Sequence, residues 1–245
     1  MIEICELTKS FGDKVVLRGV SLTVHEGETL VVLGRSGCGK SVILKHLIGL
    51  LKPDSGEVLV DDEPITELPE RKLTDVRRKV GMLFQSAALF DSMSVEENLA
   101  FPLREQKITD EAEIARRIDE ALEMVDLPGE QKKMPSELSG GMRKRVGLAR
   151  TIIGRPRCIL YDEPTTGLDP ITTDSINHLI RRLQKRLGVT SIVVTHDMKT
   201  AFHCADRVAF LHEGHLHFLG TVAELQASPD PIVQDFIEGR SGDTD

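Results

Sequence analysis

The residues best placed to do chemistry are Gly34, Arg35, Ser36, Gly37, Cys38, Gly39, Lys40 and Ser41. They satisfy G-x-x-x-x-G-K-[ST], a loop whose backbone N–H groups wrap the phosphates of a nucleotide. Its glycines admit backbone conformations closed to other residues, so consecutive N–H groups can turn inward. Lys40 then reaches the β- and γ-phosphates, and the Ser41 hydroxyl sits on Mg²⁺. A second reactive pair, Asp162 and Glu163, closes the apolar run Cys158, Ile159, Leu160, Tyr161. Two adjacent negative charges at the end of a buried strand need a cation or a task. In a chain that already has a phosphate loop, Asp162 is assigned to Mg²⁺ and Glu163 to the attacking water.

Four further positions have two readings each on pattern alone. Phe11, in a chain with no Trp and a single Tyr, is either an aromatic that stacks on adenine or an ordinary core residue. Gln85 closes a strand, which by itself indicates little. Ser139, Gly140 and Gly141 at a helix start form an anion site or a plain cap. His196 follows a buried-type strand and so faces the crevice where open α/β sheets bind ligands, or it is a structural histidine.

These residues need a parallel-sheet scaffold to position them. Thr29 to Leu33 reads as a buried strand before the glycine loop, and Ile43, Leu44, Leu47, Ile48 and Leu51 mark a helix after it. Strands are expected at 2–7 and 15–24 around the Gly12-Asp13 turn, at 56–60 and at 80–84, with a loop at 63–69. From about 86 to 155 strand-like runs are sparse, and Ile114, Ile118, Leu122 and Val125 share one helical face. This reads as a helical insertion in an α/β core. Strand 158–162, a helix marked by Ile176, Leu179, Ile180, Leu183 and Leu187, and strand 191–195 follow. A hairpin about Gly214, short helices at 222–226 and after Pro231, and a disordered 239–245 complete the expectation.

Composition is that of an ordinary soluble globular chain: 245 residues, 40% hydrophobic and 29% charged. The net charge of −8 argues against a general nucleic-acid binder, and the basic cluster Arg143, Lys144, Arg145 reads as a solvated helix face. Scattered Cys5, Cys38, Cys158 and Cys204 suit a reducing compartment and make no metal site. No apolar run approaches the ~20 residues that span a bilayer, and the N-terminus is not a signal peptide. The chain is therefore expected in the cytoplasm unless a partner holds it at a membrane.

The phosphate loop, Gln85, Leu138 to Met142, Ile159 to Glu163, Gly167 to Asp169 and His196, in this order and spacing, resemble the motif set of an ABC-transporter ATPase subunit over essentially the whole chain. The resemblance implies a P-loop NTPase fold: a RecA-like core with an antiparallel β subdomain at 1–85 and 156–227, a helical signature subdomain at 86–155, and a tail at 228–245. It implies that Phe11 stacks on adenine, that Ser139, Gly140 and Gly141 are the signature loop, and that Asp169 lies at the nucleotide. It makes Gln85 a hinge and a catalytic and metal-side group, and His196 the switch near the γ-phosphate. The family works as a head-to-tail homodimer with two ATPs sandwiched between chains, on permease subunits that dock near 86–101, at the cytoplasmic face of the inner membrane. Met142 stands where most ABC signatures carry Gln. With the stretches around Phe84 to Ser92, Asn98 to Glu105 and Met134 to Met142, it is similar to the ATPases of Mla-type, MCE-associated systems that move phospholipid. An MCE-domain protein and a small regulatory subunit are the partners so implied. The alternatives are the ATPase of another ABC importer, for amino acids for instance, a soluble ABC ATPase of translation or DNA repair, and an interaction module with a merely structural nucleotide site.

Overall fold

The computed structural model describes residues 1–240; of the tail expected to be disordered, 241–245 lie outside the described residues. The described residues form two compact units, Met1–Arg77 together with 190–240, and Arg78–Val189. The chain opens with β1 (Ile2–Phe11), β2 (Lys14–Val24), β3 (Thr29–Leu33), α1 (Lys40–Leu47), β4 (Ser55–Val60), a two-residue β5 (Glu63–Pro64) and α2 (Glu70–Lys79). The second unit holds β6 (Val80–Leu83), α3 (Val95–Glu105), α4 (Glu111–Met124), α5 (Gly140–Ile152), β7 (Cys158–Asp162) and α6 (Pro170–Leu187). The first unit then resumes with β8 (Thr190–Thr195), α7 (Met198–Cys204), β9 (Arg207–His212), β10 (His215–Gly220), α8 (Val222–Gln226) and α9 (Pro231–Glu238).

The first unit contains two sheets. One is antiparallel, in the order β2-β1-β4-β5. Leu17, Val20, Leu22 and Val24 of β2 are buried while Arg18, Ser21 and Thr23 face water, the alternation of a half-buried strand. β1 runs four residues past its expected end at Leu7. A register shift follows Cys5, with Glu6 in the left-handed region at φ 49°, and this bulge breaks the period-2 pattern. The other sheet sets β3 between parallel β8 and β9, with β10 antiparallel at the edge. All five residues of β3 and all six of β8 are buried, as the central strands of a parallel sheet must be.

In the second unit β6 and β7 run parallel, with Leu83 opposite Tyr161. Between these strands every regular element is helical. Ile114, Ile118 and Leu122 form the buried stripe of α4, and ion pairs among Glu113, Arg116, Arg117 and Glu120 cover its outer side. Asp126 accepts from Arg145 of α5 and Arg182 of α6, both at 2.7 Å, fastening the end of α4 to two helices at once. Residues 90–94 wind around the fully buried Asn98 of α3. Its amide donates to the carbonyls of Phe90, Met93 and Ser94 at 3.0–3.1 Å and accepts from the Phe90 N–H at 2.8 Å.

Two helices, α2 and α7, go beyond the sequence expectation, and the tail is better defined than expected as far as Arg240. Gly239 caps α9 at φ 68°, and the Arg240 N–H donates to the Asp235 carbonyl at 2.8 Å.

Candidate nucleotide-binding and hydrolytic residues

In the first unit, β3 delivers the chain into the glycine loop and α1 receives it. Gly39 is the N-cap of α1 at φ 109°. A Cβ there would lie 2.7 Å from Leu17 Cδ2 and 3.1 Å from the Val16 carbonyl oxygen, so both conformation and space demand glycine. No side chain caps α1, and an uncapped helix start is suited to phosphate. Lys40 is buried, and its Nζ donates to the carbonyls of Gly34 at 2.8 Å and Arg35 at 3.1 Å. The ammonium is thereby drawn back over the loop that a phosphate would fill.

A cleft of about 500 Å³ borders this loop, lined by Lys14, Val16, Arg18, Gly37, Cys38 and His215 among others. Phe11 lies opposite Lys14 in the β1–β2 register. It is 47% exposed, with the Lys9 ammonium 5.7 Å from its ring centroid. That exposure removes the reading as an ordinary core residue and leaves an aromatic face open to a base. Phe11→Ala is expected to weaken ATP binding about tenfold with the fold intact, given ~1–3 kcal/mol per stacked base. A nucleotide titration checks this, and an unchanged affinity removes the assignment.

A second cleft, about 430 Å³, is lined by Arg35, Ser36, His196, Asp235, Phe236 and Arg240. The pairing of Leu33 with Thr195 explains why His196 shares it with the glycine loop. Both chains leave the sheet at the same carboxyl edge.

In the second unit, the pairing of Leu83 with Tyr161 likewise brings Gln85 and Glu163 out at one end of β6 and β7. β7 is buried along its whole length, including Tyr161 and the terminal Asp162. Glu163 is 9% exposed and sits at φ 48°, a region that non-glycine residues seldom enter. The Thr166 hydroxyl donates to Glu163 Oε2 at 3.3 Å. Ser41 offers a hydroxyl oxygen, Gln85 an amide oxygen and Asp162 carboxylate oxygens, ligand types that suit Mg²⁺.

Ser139 is the N-cap of α5, its Oγ accepting from the Met142 N–H at 3.2 Å. Asp169 caps α6, accepting from the Ile171 and Thr172 N–H groups at 3.0 Å and from the Thr172 hydroxyl at 2.5 Å. Those bonds, the Thr172 hydroxyl foremost, hold its carboxyl below the usual carboxylate range. Thr172 also touches the signature glycine: a Cβ on Gly141 would lie 2.6 Å from Thr172 Cγ2. Thr172 thus packs Gly141 and Asp169 into one unit.

The basic cluster keeps Arg143 exposed, as expected, but departs from a solvated face at buried Lys144 and half-buried Arg145. Arg143 donates to the Leu138 carbonyl at 2.7 Å and Arg145 to that of Val125 at 2.6 Å. Lys144 is buried, with its ammonium on the carbonyls of Gln85 and Glu163. Burial pushes its pKa down, against the opposing pull of the Asp162 and Glu163 carboxylates. Sequence reasoning missed Lys144, although helical spacing carries the signal: positions 141, 144 and 148 share one face of α5, and all three are buried.

The family model described as ABC transporter matches residues 17–166. The probable ribonucleotide transport ATP-binding protein mkl of Mycobacterium tuberculosis is 44% identical over 239 residues, which is 98% of this chain and 67% of that protein. The intermembrane phospholipid transport system ATP-binding protein MlaF of Haemophilus influenzae is 42% identical over 241 residues, 98% of this chain and 91% of its own length. Among solved structures, a dimeric post-hydrolysis state of an ATP-binding cassette bound to ADP and Pi matches with a TM-score of 0.83 at 33% identity. That match covers 91% of this chain and 99% of the other.

Proposed function

The chain belongs to the ABC-transporter ATP-binding family and is an ATPase, and we propose that it powers phospholipid movement as the ATP-hydrolysing pair in an Mla-type, MCE-associated transporter. The observation that supports this substrate class is the match to MlaF over nearly the full length of both chains. On this reading residues 1–85 and 156–227 bind and hydrolyse ATP, 86–155 carry the signature, and 228–245 form the tail.

Two copies pair head to tail. For each ATP one chain gives the glycine loop at 34–41, Phe11, Gln85, Asp162, Glu163 and His196, and the other gives Ser139, Gly140, Gly141 and Asp169. Phe11 stacks on adenine. Backbone N–H groups of the loop and the ammonium of Lys40 hold the phosphates. The Glu163 carboxylate takes a proton from the attacking water, and His196 orients the γ-phosphate end. Ser41, Gln85 and Asp162 would hold Mg²⁺, which would supply positive charge to offset that of the phosphates. ATP favours the closed pair because its γ-phosphate bridges both faces, and hydrolysis releases it.

The permease meets residues 86–101. There Phe90 and Phe101 are each 41% exposed with ring centroids 5.0 Å apart, on a segment that buried Asn98 holds rigid. Among the described residues no helix is long and apolar enough to cross a membrane. On this reading the chain sits peripherally on permease subunits at the cytoplasmic face of the inner membrane. An MCE-domain protein and a small regulatory subunit complete the assembly, and no nucleic acid takes part. The second reading is an importer of another solute; transport of a solute other than lipid draws support from the ribonucleotide-transport name of the mkl relative. Purification of the complex from native membrane, with subunits and lipids identified by mass spectrometry, tests both. Enrichment of phospholipid and an MCE-domain subunit is expected. A soluble-solute receptor without lipid enrichment would replace the phospholipid reading with the importer reading.

A further inference from the structure

Lysine is almost never fully buried unless it is paired, yet Lys144 is 5% exposed in the second unit. It lies on α5 three residues after Gly141, hence on the same helical face. Its Nζ donates to the backbone carbonyl of Gln85 and, at 3.2 Å, to that of Glu163. These carbonyls belong to the two residues that leave the parallel strands β6 and β7 at one end. A three-donor ammonium on a flexible stem can serve both at once.

We propose that Lys144 is a positioning residue that ties Gln85 and Glu163 to the signature helix of their own chain. This rests on the reading of Glu163 as the group that activates water. In a head-to-tail pair, Ser139 and Gly141 address the ATP held by the partner, while Gln85 and Glu163 address the ATP held by their own chain. Lys144 is therefore a mechanical link between the two ATPs. Seating one γ-phosphate on the signature loop moves α5, and through Lys144 α5 pulls on the Gln85 and Glu163 carbonyls, which set the geometry of water activation at the other. Misplacement by about 1 Å is enough to cost ~100-fold in rate.

The test compares Lys144→Met, which keeps the length and loses every donor, with Lys144→Gln, which keeps one donor group. ATP turnover of the assembled complex is measured per folded dimer, together with KM and the Hill coefficient for ATP. Expected is a loss in kcat of about 10- to 100-fold for Met and a smaller one for Gln, with KM within about twofold and the Hill coefficient falling toward one. A folded Met variant that keeps its kcat, or loses it with cooperativity intact, overturns the proposal. If the Met variant does not fold, the Gln variant decides by the same criteria. Glu163→Gln in the same assay separates the two levels of the argument. Its retained turnover sinks the underlying site reading, whereas its inactivity beside a fully active Lys144→Met sinks only the link.

Discussion

Glu163→Gln is expected to slow ATP turnover by about two to four orders of magnitude while ATP affinity stays within about twofold. The substitution exchanges a carboxylate oxygen for an amide at nearly constant volume, and the remaining oxygen still accepts from the Thr166 hydroxyl. Backbone position is held independently, by Lys144 on the Glu163 carbonyl. What disappears is the proton acceptor for the attacking water. Because ATP persists unhydrolysed, the variant should accumulate as a closed dimer, visible by size-exclusion chromatography with ATP and Mg²⁺. A well-folded variant with near-normal turnover would refute the role assigned to Glu163.

Ser139→Arg should bring turnover to less than about one hundredth of the native rate, with ATP binding by the single chain largely preserved. Ser139 is exposed, and its side-chain oxygen accepts from the Met142 N–H as the cap of α5. Loss of that cap costs about 1 kcal/mol, well short of unfolding a chain of this size. In the proposed head-to-tail pair the long cation fills the space for the γ-phosphate of the partner's ATP, and so removes a contact made only between chains. Nucleotide titration of the monomer and turnover of the dimer should therefore separate. Their joint loss would indicate misfolding.

The motif-bearing loops were legible because their chemistry leaves compositional marks: glycines where backbone meets phosphate, carboxylates at the end of an apolar strand, a histidine after another. The strands that deliver them were equally plain, since central parallel strands are short and largely apolar. Elements without a stripe were not legible. Of the ten residues of α2 only Leu73 and Val76 are buried, too few to set a helical period, and α7 is a seven-residue helix. The bulge at Glu6 concealed the second half of β1. Lys144 was concealed differently: between two arginines its charge outweighed its spacing, and burial of an ammonium depends on carbonyls 59 and 19 residues away. No local pattern carries that information.

The left-handed backbone of Glu163 bears on how this chain would evolve. An L-residue with a side chain held there costs about 1 kcal/mol that glycine would not. Heat resistance and turnover thus make opposite demands on one codon. A lineage released from the need to hydrolyse ATP has a ready stabilising path at this position, and taking it would leave a sturdier protein that closes on nucleotide and does not reopen. On the role proposed for Glu163, glutamate at a place where the backbone prefers glycine is a cost that catalysis offsets.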